Sequence, residues 1–125
     1  MNFRFARHTN KLKELTRFYT EVLGLKILGE FKNHDHYDGV FIGKENVDWH
    51  LEFTESNHTA NHVTDEDDVM VFYPTTKEEY DKLLERLSAS QKIQARNPYW
   101  NKNGHMFFDP DGFRIVISPM RFELE

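Results

Sequence analysis

The stretch FFDPDGFRIVI, from Phe107 to Ile117, reads as two short strands folded back on each other through a four-residue turn. Asp109 opens the turn, Pro110 fixes φ at its second position, and Gly112 supplies the backbone freedom its last position needs. The flanking residues are aromatic or β-branched, which suits a pleated and partly buried surface. Strands are therefore expected at His105 to Phe108 and at Phe113 to Ser118.

Working back from that hairpin, a third strand is plausible at Lys92 to Arg96. Before it, Tyr80, Leu83, Leu84 and Leu87 recur at helical spacing. Thr75 and Glu78 have the spacing of a capping box, hydroxyl to the third amide and carboxylate back to the cap. Val69, Val71 and Tyr73 alternate as one face of a strand. The second half therefore runs β-α-β-β-β. The first half has the same plan. Phe3 and Phe5 alternate with Arg4, Ala6 and His8 in a strand from Asn2 to His8. Asn10 is a candidate N-cap for a helix whose apolar stripe is Leu12, Leu15, Phe18, Tyr19 and Val22, with Gly24 as its stop. Lys26 to Phe31 and Gly39 to Gly43 read as strands around a polar loop, Lys32 to Asp38. Val47 to Thr54 is the clearest strand of all: Val47, Trp49, Leu51 and Phe53 share one face, and Asp48, His50, Glu52 and Thr54 the other. A polar stretch, Ser56 to Asp68, separates two copies of one plan at a period of roughly 60 residues.

Composition narrows the function classes. The 125 residues carry 11 Phe, 5 Tyr and 2 Trp, enough bulky material for a core, and no cysteine. Disulfides, thiolate metal sites and cysteine nucleophiles are excluded. The net charge of −5 and scattered basic residues argue against a nucleic-acid surface. The N-terminus, MNFRFARHTN, has charges where a signal peptide needs an apolar run, and no stretch approaches membrane-spanning length. A cytoplasmic protein that avoids membranes is expected.

Three motifs occur in an order that resembles the vicinal oxygen chelate superfamily, the glyoxalase, bleomycin-resistance and extradiol-dioxygenase type of protein. They are TRFYTEVLGLKIL (Thr16 to Leu28), HLEFTE (His50 to Glu55) and FFDPDGFRIVI. With the repeat they cover nearly the whole chain. The resemblance implies an α+β fold in which two β-α-β-β-β modules form a cupped mixed sheet with helices outside. It implies one domain over residues 1–125, with module one at about 1–56, a linker at about 57–67 and module two at about 68–125. It also implies a small organic molecule as ligand and a homodimer.

Metal-dependent members of the superfamily place ligands at four strand positions. Carried over, those positions fall on Arg4, on Glu52, on or beside Asp68, and on Val116. Arginine has no acceptor atom and stays protonated, and valine has no donor. Glu52 is the one good ligand. A catalytic metal needs about three protein ligands, so no cofactor is expected, although His50 beside Glu52 leaves a divalent metal open. Arg4 and Glu52 could instead form an ion pair facing across the cup, or Arg4 could hold a ligand oxygen with Glu52 or His50 as proton acceptor. A purely stabilising pair is the equal alternative.

By strand parity, Met70 and Phe72, with Arg114 and Ser118, are further candidates for the pocket wall. Asn97-Pro98-Tyr99-Trp100 reads as an aromatic loop, and Tyr99 and Trp100 could stack on a flat ligand, pack at a dimer contact or plug the core edge. His105 could line the second wall or be a hydrogen-bonded structural histidine. His34-Asp35-His36 and the pair His58 and His62 read as solvated surface. The expected function is small-molecule binding without the usual metal site, related to sequestration of a toxic compound. Its Arg4, His50, Glu52, Met70, Phe72, Tyr99, Trp100, His105 and Arg114 would touch the ligand. The alternative is an enzyme, a metal-dependent lyase or isomerase or a ring-cleaving dioxygenase, with Glu52 and His50 as catalytic groups.

Overall fold

In the computed structural model, which describes residues 1–123, the chain divides into two compact units, Met1–His62 and a second from Val63 onward. Each contains one four-stranded mixed sheet. In the first, β1 (Phe3–His8), β2 (Lys26–His34), β3 (Tyr37–Gly43) and β4 (Trp49–Glu55) lie in the order β1-β4-β3-β2. In the second, β5 (Val69–Phe72), β6 (Lys92–Ile93), β7 (His105–Phe108) and β8 (Arg114–Ile117) lie in the order β5-β8-β7-β6. One pair is parallel in each sheet, β1 with β4 and β5 with β8, and the other pairs are antiparallel. The repeat read from the sequence is thus a repeat of topology.

In the first unit, α1 (Leu12–Arg17) runs on into a π-turn, Phe18–Val22, in which Leu23 N–H reaches Phe18 O at 3.1 Å. The widened turn moves the end of the buried stripe from Val22 to Leu23, which with Leu15, Phe18 and Tyr19 meets Val40, Ile42, Leu51 and Phe53 in the core. Gly24 stops the segment with φ of 75°, a conformation a Cβ would disfavour. Asn10 does not cap α1. Its amide instead brackets Ala60, accepting from the backbone N–H at 2.8 Å and donating to the carbonyl at 3.0 Å, while Thr9 Oγ1 accepts from Lys11 N–H at 3.0 Å. The polar loop expected at Lys32 to Asp38 is mostly strand. β2 and β3 continue to a tight turn in which Asn33, Asp35 and His36 all have positive φ, the conformation short polar side chains tolerate best.

In the second unit, α2 (Lys77–Arg86) continues through a short 3₁₀ turn at Leu87–Ala89. Its cap sits one residue later than the sequence suggested: Thr76 accepts from Glu79 N–H at 3.1 Å, and the Glu79 carboxylate reaches back to Thr75 N–H at 3.2 Å. The strand expected at Lys92 to Arg96 has only two residues. Asn97 then caps a helix, α3 (Pro98–Asn103), by accepting from Tyr99 N–H at 3.0 Å. The aromatic loop is therefore a helix, and Pro98 occupies its first turn, where a missing N–H costs nothing. The Asp109 turn forms as read: Gly112 N–H reaches Asp109 O at 2.9 Å, φ of Gly112 is 83°, and Asp109 Oδ1 accepts from Asp111 and Phe113 N–H groups. A last turn of helix, α4, spans Met120–Glu123.

Candidate functional site

Register fixes which side chains share a face. In the first sheet Arg4 pairs with His50, Ala6 with Glu52 and His8 with Thr54; Gly39, Phe41 and Gly43 pair with Thr54, Glu52 and His50; and Gly29 and Phe31 pair with Phe41 and Gly39. All of these lie on one face. The opposite face carries Val40, Ile42, Leu51 and Phe53, and Tyr19 stacks on Phe53 at 5.0 Å, so α1 covers that side. The face bearing Arg4 and Glu52 is the one the helix leaves alone.

On it, Arg4 donates from Nη1 to Glu52 Oε1 at 3.0 Å. The pair forms between neighbouring strands of one sheet, because the parallel register offsets Arg4 by a single pleat from Glu52; it does not reach across a hollow. The two ends differ in exposure, Arg4 at 51% and Glu52 at 14%. The Arg4 guanidinium also lies 5.8 Å from the centre of the Phe41 ring, and His50 meets the same ring edge-on at 5.7 Å. Glu52 is the hydrogen-bond partner of Arg4 among the described residues, which leaves the rest of the five-donor fork unengaged. His50 is half-buried, and neither of its ring nitrogens has a hydrogen-bond partner among the described residues. Arg4, His50 and Glu52 therefore make one polar corner: a donor fork, an imidazole and a carboxylate.

The far end of the same face is closed by polar bonds. His8 Nε2 lies 3.0 Å from His58 O, so that nitrogen carries the proton, and His8 Nδ1 then accepts from Thr54 Oγ1–H at 2.8 Å. Ser56 Oγ is 3.1 Å from Nε2, and His62 Nε2 donates to His8 O at 2.6 Å. His58 and His62, read as solvated surface, thus help to tie the segment after β4 down onto β1.

The second-sheet candidates are divided by register. Met70 and Phe72 pair with Ile115 and Ile117, which pair in turn with Phe107 and His105. Tyr80 of α2 touches His105 at a ring distance of 6.2 Å, so Met70, Phe72 and His105 are on the α2 side. Burial, and then Lys92, hold the His105 imidazole below its ordinary pKa. Arg114 lies on the opposite face, so the single wall of Met70, Phe72 and Arg114 expected from parity does not exist. Arg114 stacks on Phe108 at 5.1 Å and donates to Asp65 O at 3.3 Å. Ser118 is buried, and its Oγ accepts from Met120 N–H at 3.3 Å. Trp100 packs with Val69, Val71 and Ile93 against a buried cluster of Ala95, Met106 and Val116. Tyr99 is more exposed, stands perpendicular to Trp100 at 4.9 Å and reaches Met120 Sδ at 3.5 Å.

The four positions onto which the resemblance carries metal ligands differ in chemistry. Arg4 offers only donors. Glu52 is engaged by Arg4. Asp68 precedes β5, and its carboxylate accepts from Asp65 N–H at 3.2 Å in an acidic turn gripped by Arg96, which reaches Asp65 and Asp67 at 2.6 Å each. Val116 sits among apolar side chains. That donor set does not fit a divalent metal, and among the described residues no group of three or more His, Cys, Asp or Glu is placed to hold one. No helix among the described residues is long and apolar enough to cross a membrane.

The sequence reading missed Phe31, Phe41 and His8. The alternation Tyr37, Gly39, Phe41, Gly43 was the available signal for β3, but the short apolar run GVFIG hides which residues face which way.

Comparison with known structures places this geometry. Glyoxalase I of Leishmania major superposes with a TM-score of 0.73 at 19% identity, over 97% of this chain and 87% of that one. TnmS3, an antibiotic binding protein from Streptomyces sp. CB03234, gives 0.64 at 18% identity, over 94% and 93%. At such identity the likeness is one of fold, and the fold is that of the vicinal oxygen chelate superfamily, the glyoxalase and bleomycin-resistance type. Much nearer is YycE of Bacillus subtilis (strain 168), 44% identical over 118 residues, 91% of this chain and 84% of YycE; the crystal structure of a B. subtilis YycE protein superposes with a TM-score of 0.83 at 41% identity, over 94% of this chain and 88% of that one. Residues 3–54 match the YycE-like N-terminal domain and residues 67–119 the YycE-like C-terminal domain, and the chain belongs to this YycE-like family.

Proposed function

We propose that this protein binds a small organic molecule on the first sheet, through Arg4, His50 and Glu52, without a metal. The observation that carries the reading is the polar corner itself. An exposed guanidinium paired with a half-buried carboxylate stands beside a half-buried imidazole with no hydrogen-bond partner among the described residues, on the sheet face the helix does not cover. Half-buried polar groups left unpaired cost free energy unless a ligand or water satisfies them. Arg4 would hold an acceptor oxygen, and Glu52 and His50 would take hydrogens from the ligand. TnmS3, an antibiotic binding protein, shares the fold, which supports sequestration of an organic compound as the class of function. The acidic, cysteine-free chain would act in the cytoplasm as a homodimer. The outward aromatic side chains of the edge strand β1, Phe3 at 65% exposure and Phe5 at 36%, favour a partner for that strand.

The test combines metal analysis and native mass of the purified protein with a small-molecule screen followed by amide NMR. A dimer mass, substoichiometric metal and ligand-induced shifts at Arg4, His50 and Glu52 that Arg4→Met abolishes are expected. A stoichiometric divalent metal bound through Glu52, with turnover lost on chelation and regained on reloading, would overturn the reading in favour of an enzyme.

A further inference from the structure

The polar corner is only one end of its sheet face. Beside it, Phe41 and Phe31 lie next to each other with ring centres 5.7 Å apart and planes 48° apart. Both rings fall over glycines of the neighbouring strand. A Cβ on Gly39 would collide with the tip of the Phe31 ring, and a Cβ on Gly29 would come within 3.3 Å of Phe41 Cδ2. The glycines let the rings lie down along the sheet, where side chains at those positions would force them up or away. Neither ring is buried. The polar groups beside the rings are Arg4 over Phe41, His50 against its edge, and His34 edge-on to Phe31 at 6.1 Å. Aromatic cover of strand glycines also stabilises a sheet, so a purely structural role is the competing account. It gives no reason for two phenylalanines to remain partly open beside a guanidinium with unengaged donors.

From this juxtaposition we infer that the ligand is a planar aromatic compound carrying an acceptor oxygen. Its ring rests on Phe41 and Phe31, and the oxygen lies at the Arg4 fork. Phe31 and Phe41 are then specificity-determining residues, because stacked aromatic contacts distinguish a flat ring from a puckered one of the same size. The inference rests on the binding reading above and adds the class of ligand.

The probes are 2-naphthoate and its saturated counterpart, decahydro-2-naphthoate, which share charge and outline but not aromaticity. Titrations followed by amide NMR are run on the native chain and on Phe41→Leu, Phe31→Leu and Arg4→Met, each first checked for an unchanged melting temperature and spectrum away from the first sheet. For the native chain, 2-naphthoate should bind about two- to tenfold tighter than the saturated acid, the range an aromatic contact supplies. Its ring current should shift the Gly29, Phe31, Gly39 and Phe41 amides. Either leucine variant should erase the difference by weakening naphthoate alone, and Arg4→Met should weaken both acids alike. Should a phenylalanine variant not fold, Gly39→Ala, which displaces the Phe31 ring without altering it, gives the same readout. Equal affinity for the two acids at an Arg4-dependent site would overturn the aromatic floor and leave the binding site standing. Shifts confined to other parts of the chain and indifferent to Arg4→Met would overturn both. No binding of either acid at millimolar concentration would overturn the aromatic floor.

Discussion

Replacing Val116 by glutamate would put a carboxylate at one of the four positions onto which the resemblance carries metal ligands, and the packing around it predicts a severe loss of stability. Val116 is fully buried against Ala95 and Met106, with Val69, Val71, Ile93 and Trp100 packed on the cluster. Losing the burial of a valine costs about 1.5–3 kcal/mol. A carboxylate enclosed by apolar atoms has its pKa raised by about 3 units, and at about 1.4 kcal/mol per unit that adds about 4 kcal/mol at neutral pH. The total, about 6 kcal/mol, is as large as the whole stability of many domains. The pH dependence has a definite sign. The folded pKa lies above the unfolded value of about 4.3, so the unfolded state holds fewer protons than the folded one between the two. The variant's deficit relative to the native chain should therefore be smallest below pH 4 and grow by about 1.4 kcal/mol per unit up to about pH 7. Urea unfolding followed by Trp100 fluorescence in a Trp49→Phe background, at pH 4.5 and 7.5, measures this. A deficit under about 1 kcal/mol at pH 7.5, or one that does not change with pH, would refute the account of Val116 as part of a dry cluster.

Two further predictions concern the second unit. A Cβ on Gly104 would lie 2.7 Å from Val116 Cγ1 and 2.8 Å from Ile117 O, so Gly104→Ala should cost about 1–3 kcal/mol in chemical denaturation through overpacking. His105 is held below its ordinary pKa by burial and Lys92; its contribution to stability is therefore intact above the unfolded value of about 6.5 and declines as pH falls toward the folded one. His105→Gln should flatten the stability profile below about pH 6.5, and NMR titration of the imidazole should give a midpoint below the ordinary histidine value.

Much of the architecture was legible because its signals are local and repeated. The alternation in Val47 to Thr54 put His50 and Glu52 opposite Leu51 and Phe53, and burial of the last two agrees. The Asp109 turn was readable because Pro110 and Gly112 each favour particular turn positions. What could not be read depended on tertiary partners. Asn10 has the chemistry of a cap, but Ala60, fifty residues away in sequence, offers its amide two hydrogen bonds. Asn97 and Pro98 together spell a helix start, yet the aromatic pair after them drew the reading toward a loop. Strand-by-strand parity groups Met70 and Phe72 with Arg114. Only the register between β5 and β8 sets the faces of two strands against each other, and one residue of slip reverses them.

Asn101 gives the second sheet a guard at its border. Its side chain accepts from Ala95 N–H at 2.7 Å and donates to Ala95 O at 2.8 Å, the two bonds one strand residue exchanges with a neighbouring strand, two residues beyond the end of β6. Open borders of this kind invite stray chains to join and so begin aggregates. An amide borrowed from α3 takes up both backbone groups first, so a concentrated solution of this protein finds less to grow on at that margin.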